Sequence, residues 1–260
     1  MYFYIITDNP KVAEYVDRLG VNRIFIDLET LGKYERQKGL NTLISTHKES
    51  NISSVKNRLT SAELLVRIDP FNDHSFAQIE KVIDYGADAI MLPMYSYANE
   101  VEQVGNFING RAKLVPLVET PDAIRNIEQV SKLECVDDFH IGLNDLQIAR
   151  GTSTMFDVFF DGVLDQIYSK AVKPVGFGGV ANSLVGDLPA SMILAEHVYR
   201  RSNGVILSRS FHGASKTIED FIANDFESHF EAMKNELNKL HTDSRLVKTR
   251  RSNLREALGF

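Results

Sequence analysis

Short apolar runs recur along the chain, all but one ending on a polar, charged or glycine residue, and the stretches between them place apolar residues three and four apart. The runs are YFYIIT (2–7), RIFIDLE (23–29), ELLVRID (63–69), AIMLPM (89–94), KLVPLVE (113–119), FHIGLN (139–144), PVGFGG (174–179) and GVILSR (204–209). Their Val, Ile and Leu are nearly continuous instead of alternating with polar residues, which is the pattern of parallel strands covered on both faces. Amphipathic stretches separate them: PKVAEYVDRLG with Pro10 at a helix start, SFAQIEKVIDYG ending on Gly86, and TPDAIRNIEQVSKL with Thr120 as cap before Pro121. Eight such alternations predict an α/β fold, a TIM (β/α)8 barrel spanning residues 1–215, with a doubly wound open sheet as the alternative.

Beyond the eighth run the helical spacing continues through Ile218, Ile222, Phe226, Phe230, Met233, Leu237 and Leu240. Residues 216–260 are therefore expected to form additional C-terminal helices that close the barrel or cover a partner subunit, with a last helix reaching outward over 242–260. No repeat, low-complexity tract or Pro/Gly/Ser-rich linker divides the chain.

Composition narrows the function classes. A formal charge of -6 and a pI near 5.7 argue against nucleic acid as a partner, and the basic run RLVKTRRSNLR (245–255) reads as a solvated helix face. The single cysteine, Cys135, permits no internal disulfide and suits a reducing, cytoplasmic setting. No apolar stretch approaches a membrane span, so a soluble protein without a membrane partner is expected.

A TIM barrel carries its chemistry where the strands end. The polar residues there are Asp27 and Glu29 from the second run, Arg67 and Asp69 from the third, Glu119 from the fifth, and Asn144 and Asp145 from the sixth. Burying so much negative charge is costly unless it is paired, protonated or bound to a cation. A hard divalent ion, Mg2+ before Mn2+, held by Glu119 and Asp145 would resolve it, leaving positions for substrate and water. The alternative makes each a helix-capping or salt-bridging acid. Zinc is disfavoured for want of a His/Cys cluster. Arg67 either pairs with Asp27 or Glu29 or offers its planar fork to a substrate carboxylate or carbonyl.

The segments FIDLE, LLVRIDP, GADAIMLPM, LVPLVETPDAI and IGLNDL, in this order and spacing over roughly residues 20–210, resemble the HpcH/HpaI aldolase and citrate lyase beta-subunit family of the phosphoenolpyruvate/pyruvate barrel superfamily. The resemblance implies a barrel in which Glu119 and Asp145 bind the divalent metal. It implies that Arg67 and the loop Gly142, Leu143, Asn144 and Asp145 hold a pyruvate-like group. It also implies a homo-oligomer, a trimer or hexamer, with C-terminal helices packed on neighbouring barrels. The expected activity is a carbon–carbon lyase that cleaves or forms a 4-hydroxy-2-oxo acid, taking a 2-oxo acid and an aldehyde as small-molecule partners, through a pyruvate enolate. A β-hydroxyacyl thioester substrate, or a barrel that binds metal and keto acid without turnover, are the rivals.

One departure bears on the proton transfer. Where the aldolase branch has a catalytic histidine after the glutamate, this chain has Thr30, whose hydroxyl is no base at neutral pH; the acidic IDLE instead resembles the citrate lyase branch. Asp27 and Glu29 stay candidates for catalysis, as do His212 after the eighth run, His47 in the loop after the second, and a water acidified by the cation. His140, inside a run, reads as a core residue. GFGGVAN (176–182) reads as a tight turn or a phosphate cradle, and Lys33, Arg36 and Lys38 as a solvated face or an anion contact.

Overall fold

The structure is a computed structural model and describes residues 1–32, 46–182 and 188–260. Lys33, Arg36 and Lys38 lie outside the described residues. The strands are β1 (Tyr2–Ile6), β2 (Arg23–Asp27), β3 (Glu63–Arg67), β4 (Ala89–Leu92), β5 (Lys113–Val118), β6 (Phe139–Ile141), β7 (Val175–Phe177), β8 (Gly179–Val180) and β9 (Gly204–Leu207). All pairings are parallel, in the order β7-β6-β5-β4-β3-β2-β1-β9-β8.

The sheet closes on itself because β7 and β8 are one stretch of chain. Phe177 pairs with Ile141 of β6 on one side, and Gly179 pairs with Ile206 of β9 on the other. Gly178 between them takes φ +47, a left-handed conformation that costs glycine little, and a Cβ there would collide with Leu143 Cδ1. Counting that stretch as one stave leaves eight. The TIM barrel expectation therefore holds, and the open sheet does not.

Both faces of each strand are buried, which is why the sequence shows no alternation. Tyr4, Phe25, Leu65, Ala89, Met91, Val115 and Leu117 fill the lumen, with Ile6 and Ile206 packed against them, while their neighbours Ile5, Ile24, Ile26, Leu64, Val66, Ile90 and Val118 meet the outer helices. On β2 the lumen positions read Arg23, Phe25, Asp27, and on β3 Glu63, Leu65, Arg67, in register. Arg23 Nε donates to Glu63 at 2.8 Å at the lower end, and Arg67 pairs with Asp27 at the upper. Arg23, fully buried, also forms a bidentate pair with Asp138 and donates to the Tyr4 hydroxyl, so the lower charge is satisfied on every side.

Around the barrel lie α1 (Pro10–Arg18), α2 (Ile52–Lys56), α3 (Ser75–Asp84), α4 (Ala98–Ile108), α5 (Pro121–Ser131), α6 (Leu143–Arg150), α7 (Val163–Lys170) and α8 (Ala190–Arg200), followed by α9 (Ile218–Ala223), α10 (Phe226–Thr242) and α11 (Ser244–Ala257). Pro10 starts α1 as read, with Asn9 found as its cap, and Thr120, the cap read before Pro121, accepts at Oγ1 from Ala123 N at 3.0 Å. None of the described helices is long and apolar enough to cross a membrane.

The C-terminal expectation needs two corrections. The single helical signal is two helices, because the chain turns at Asp225, φ +49, and Ile222 is 61 % exposed instead of joining the buried stripe of Phe226, Phe230, Met233, Leu237 and Leu240. The last helix does not reach outward but folds back along α8. Arg251 Nε donates to the buried Glu196 at 2.6 Å and its guanidinium lies 3.3 Å from the centre of the Tyr199 ring, so one residue of the basic run is an internal clamp. Cys135 packs against Gly105, and burial pushes its thiol pKa up, as befits an inert residue.

Candidate active site at the strand ends

Strand alternation assembles the site. Leu65, Phe25, Leu117 and Ile206 face the lumen and Val66, Ile26, Val118 and Leu207 the outer layer, so the next residues, Arg67, Asp27, Glu119 and Ser208, turn back toward the lumen at its upper rim.

Arg67 donates from Nε to Asp27 Oδ1 and from Nη2 to Asp27 Oδ2, both at 2.9 Å, and Nη2 lies 3.3 Å from Glu29 Oε2. Pairing with Asp27 and Glu29 is thus realised. It does not exhaust the fork: Nη1 bonds to none of the described residues, and the carboxylates around it hold the guanidinium firmly charged despite burial.

Glu119 ends β5 and is 1 % exposed. Its Oε1 accepts from Met94 N at 3.0 Å, a bond made possible by Met94 at φ +55 just past β4. Non-glycine residues held at positive φ concentrate at functional sites. Behind Glu119 lies Gly142, where a Cβ would sit 2.7 Å from Oε2; only glycine lets the carboxyl lie against the end of β6. Asp145 follows in the first turn of α6, a position that favours an acid. Burial pushes the Glu119 pKa up to about 8; Arg67 opposes the shift, Asp145 and Glu29 add to it, and the Met94 N–H opposes it. Asp145 and Glu119 therefore feel each other's charge across one space.

The other candidates fall around this core. Leu143 is buried against Gly178, so only its backbone is left to face a ligand, and Asn144 is exposed. Asp69 organises the loop beyond β2: its Oδ1 accepts from the backbone of Thr30 and Leu31 and from the Thr30 hydroxyl. His47 accepts the Asp27 N–H at Nδ1, 3.0 Å, which leaves its neutral form protonated at Nε2, 3.8 Å from Asp8 Oδ1; with Nδ1 so engaged it positions Asp27 and is not set up as a base. His212 is 3 % exposed and stacks on Phe221, and burial lowers its pKa to about 4; it contacts none of Arg67, Glu119 or Asp145. His140 is core as read, with Nε2 on Gly178 O at 3.3 Å.

Sequence reasoning missed Met94, because nothing in its side chain announces a backbone donor, and Tyr95, whose buried hydroxyl has no hydrogen-bond partner among the described residues and whose pKa burial and Glu119 both raise.

The donor set suits a divalent cation. Asp27, Glu29 and Glu119 surround Arg67, Asp145 acts on Glu119, and all four donors are hard oxygens. No group of three His, Cys, Asp or Glu that could hold a metal occurs among the described residues; an ion held by Glu119 and Asp145 would take its remaining ligands from substrate and water.

Residues 1–160 match the family described as HpcH/HpaI aldolase/citrate lyase. The chain belongs to the HpcH/HpaI family. Proteins of this family generally use a divalent metal. Its fold is shared with a family member from Burkholderia cenocepacia J2315, at 11 % identity and TM-score 0.63 over 90 % of this chain and 94 % of the other. An HpcH/HpaI aldolase from Desulfitobacterium hafniense DCB-2 aligns at 15 % identity and TM-score 0.60, covering 90 % and 92 %. The citrate synthase SbnG aligns at 14 % and 0.60, covering 90 % and 94 %. No curated protein matches the chain.

Proposed function

We infer that this HpcH/HpaI chain is a metal-dependent carbon–carbon lyase that cleaves or forms a 4-hydroxy-2-oxo acid through the enolate of pyruvate. The observation that carries the reading is the buried Glu119 carboxyl, set against Arg67 on one side and Asp145 on the other, an arrangement with little purpose in a barrel that only needs to be stable. Glu119 and Asp145 would hold the divalent ion, which when bound supplies Lewis-acid stabilisation to an oxygen that gains negative charge.

The chain's own residues do the rest. Arg67, fixed by Asp27 and Glu29, presents Nη1 to the keto oxygen of the substrate, and that contact strengthens as the C3–C4 bond breaks and its electron pair moves onto the oxygen. The Gly142 to Asp145 loop offers close backbone approach beside Glu119. The 4-hydroxyl loses its proton as the aldehyde leaves. No histidine among the described residues hydrogen-bonds to Arg67 or Glu119, and Thr30 Oγ1 is tied to Asp69; that proton goes to a carboxylate or to solvent. The Thr30 substitution also favours keeping a second reading, cleavage of a β-hydroxyacyl thioester, which shares the enolate chemistry.

The test is exchange of the pyruvate methyl protons in D2O with Mg2+ present, followed by proton NMR. Exchange is expected; its absence at pyruvate, together with turnover of malyl or citramalyl thioesters, would replace the keto-acid reading with the thioester one. Neither activity would leave a binding protein.

A further inference from the structure

Two groups beside the site each lack what the other offers. Tyr95, one residue past Met94, is 1 % exposed; its ring lies among the apolar side chains of the outer layer and its hydroxyl bonds to none of the described residues. Other tyrosine hydroxyls are satisfied: that of Tyr4 accepts from Arg23 at 2.8 Å, and that of Tyr168 donates to Val175 O at 3.0 Å. Phenylalanine would fill the same ring volume without burying a donor, so the Tyr95 hydroxyl is carried at a cost to stability. Glu119 has the complementary shortage. Among the described residues one hydrogen bond reaches it, from Met94 N at 3.0 Å, whereas a carboxylate can accept about four.

The backbone ties the two together. Beside the bond from Met94 N to Glu119, Thr120 Oγ1 donates to Tyr95 O at 3.1 Å, so residues 94 and 95 lie against residues 119 and 120. The loop beyond is pinned as well: Asn126 Nδ2 on α5 donates to Ser96 O at 2.7 Å, and Glu100 on α4 accepts from Ser96 N at 2.7 Å and Tyr97 N at 3.0 Å. The unpaired hydroxyl is therefore no product of a slack loop, and Glu119 is the one charge that acts on it. We propose that Tyr95 is a positioning residue whose hydroxyl donates to the Glu119 carboxylate, directly or across one buried water, and holds one oxygen so that the other is presented to the cation. The terminal torsion of a glutamate is broad, so a carboxylate gripped by Met94 N alone can still turn; a second donor stops that turn, and a bridging water serves nearly as well as a direct bond. The inference rests on the reading of Glu119 as a ligand of the divalent ion and adds a residue that governs how well it binds.

The experiment measures Mn2+ affinity and melting temperature on the same samples of wild type, Tyr95→Phe and, as control, Tyr168→Phe. Removing a donor from a charged group should weaken Mn2+ binding about tenfold in Tyr95→Phe, while the melting temperature stays level or rises because a buried unpaired hydroxyl is gone. Tyr168→Phe should do the opposite, losing stability with Mn2+ affinity intact, since its hydroxyl serves the Val175 carbonyl. Affinity within twofold of wild type in Tyr95→Phe overturns the proposal, and so does a loss of affinity accompanied by a lowered melting temperature, which marks a merely structural role. Wild-type protein that binds no Mn2+ means that the metal reading has failed separately. The contact is then decided by infrared difference spectroscopy on the Glu119 carboxyl band, identified by its loss in Glu119→Gln: a band displaced in Tyr95→Phe supports the hydrogen bond, and a band that coincides with that of the wild type rejects it.

Discussion

At the scale of single residues, two positions make the site what it is. Arg67 is held by two bonds to Asp27 and shares Nη2 with Glu29, leaving Nη1 outward. Lysine cannot reproduce a fork that grips a carboxylate and still offers a donor. Arg67→Lys is expected to lower pyruvate proton exchange at least about tenfold, the equivalent of about 1.4 kcal/mol of transition-state binding; an exchange rate within twofold of wild type would contradict its role. Gly142 acts through space it does not fill. In Gly142→Ala the methyl would press on Glu119 Oε2, so Mg2+ affinity should weaken while thermal stability changes little, as titration and melting on the same sample would show; unaltered affinity would mean Glu119 is not confined as described. Both roles were partly legible. The sequence marks Arg67 and Glu119 by setting charge at the end of apolar runs. It marks neither the Met94 backbone donor nor the His47 contact to Asp27, because φ and loop path depend on tertiary closure.

At the scale of elements, all eight staves were readable, since a strand buried on both faces writes itself as a continuous apolar run. The break between β7 and β8 was not, because Gly178 looks like any turn glycine until its neighbours on both sides are known. The C-terminal helices show the opposite limit. Spacing of three and four persisted across Asp225 although the helix did not, and the tail's charge concealed a clamp. Glu196 is fully buried between Arg200 and Arg251. Arg251→Ala would remove one of its cations and the contact with Tyr199, and is expected to cost about 1–3 kcal/mol. A fall in urea midpoint with an unchanged m-value checks it; no change would show that α11 contributes nothing to holding α8.

At the scale of the whole molecule, burial of three histidines sets an acid limit. His140 and His212 have pKa values lowered to about 3 and about 4, and burial also holds His197, stacked on Phe177 with neither nitrogen bonded to a described residue, well below the usual histidine range. All three are neutral in the folded state and titrate near 6.5 when unfolded. Their contribution to stability is complete above that value and is lost as pH falls through it toward their folded pKa values, at about 1.4 kcal/mol per histidine per pH unit. Urea midpoints should drop steeply between pH 7 and pH 5, and less so in His197→Leu; a flat profile would mean these rings take up protons without unfolding the barrel.

The two ends of the β2–β3 ladder then acquire different meanings. Below, Arg23 is saturated by Asp138, Glu63 and Tyr4 and closes the lumen. Above, Arg67 is bonded on one edge only among the described residues. The direct measurement is Mn2+ binding by electron paramagnetic resonance on wild type, Glu119→Gln and Asp145→Asn. One tightly bound ion per chain is expected in the wild type, and a loss of affinity of at least a hundredfold in either variant. Wild-type protein that leaves Mn2+ free in solution, or variants that bind it as well as the parent, would contradict the account.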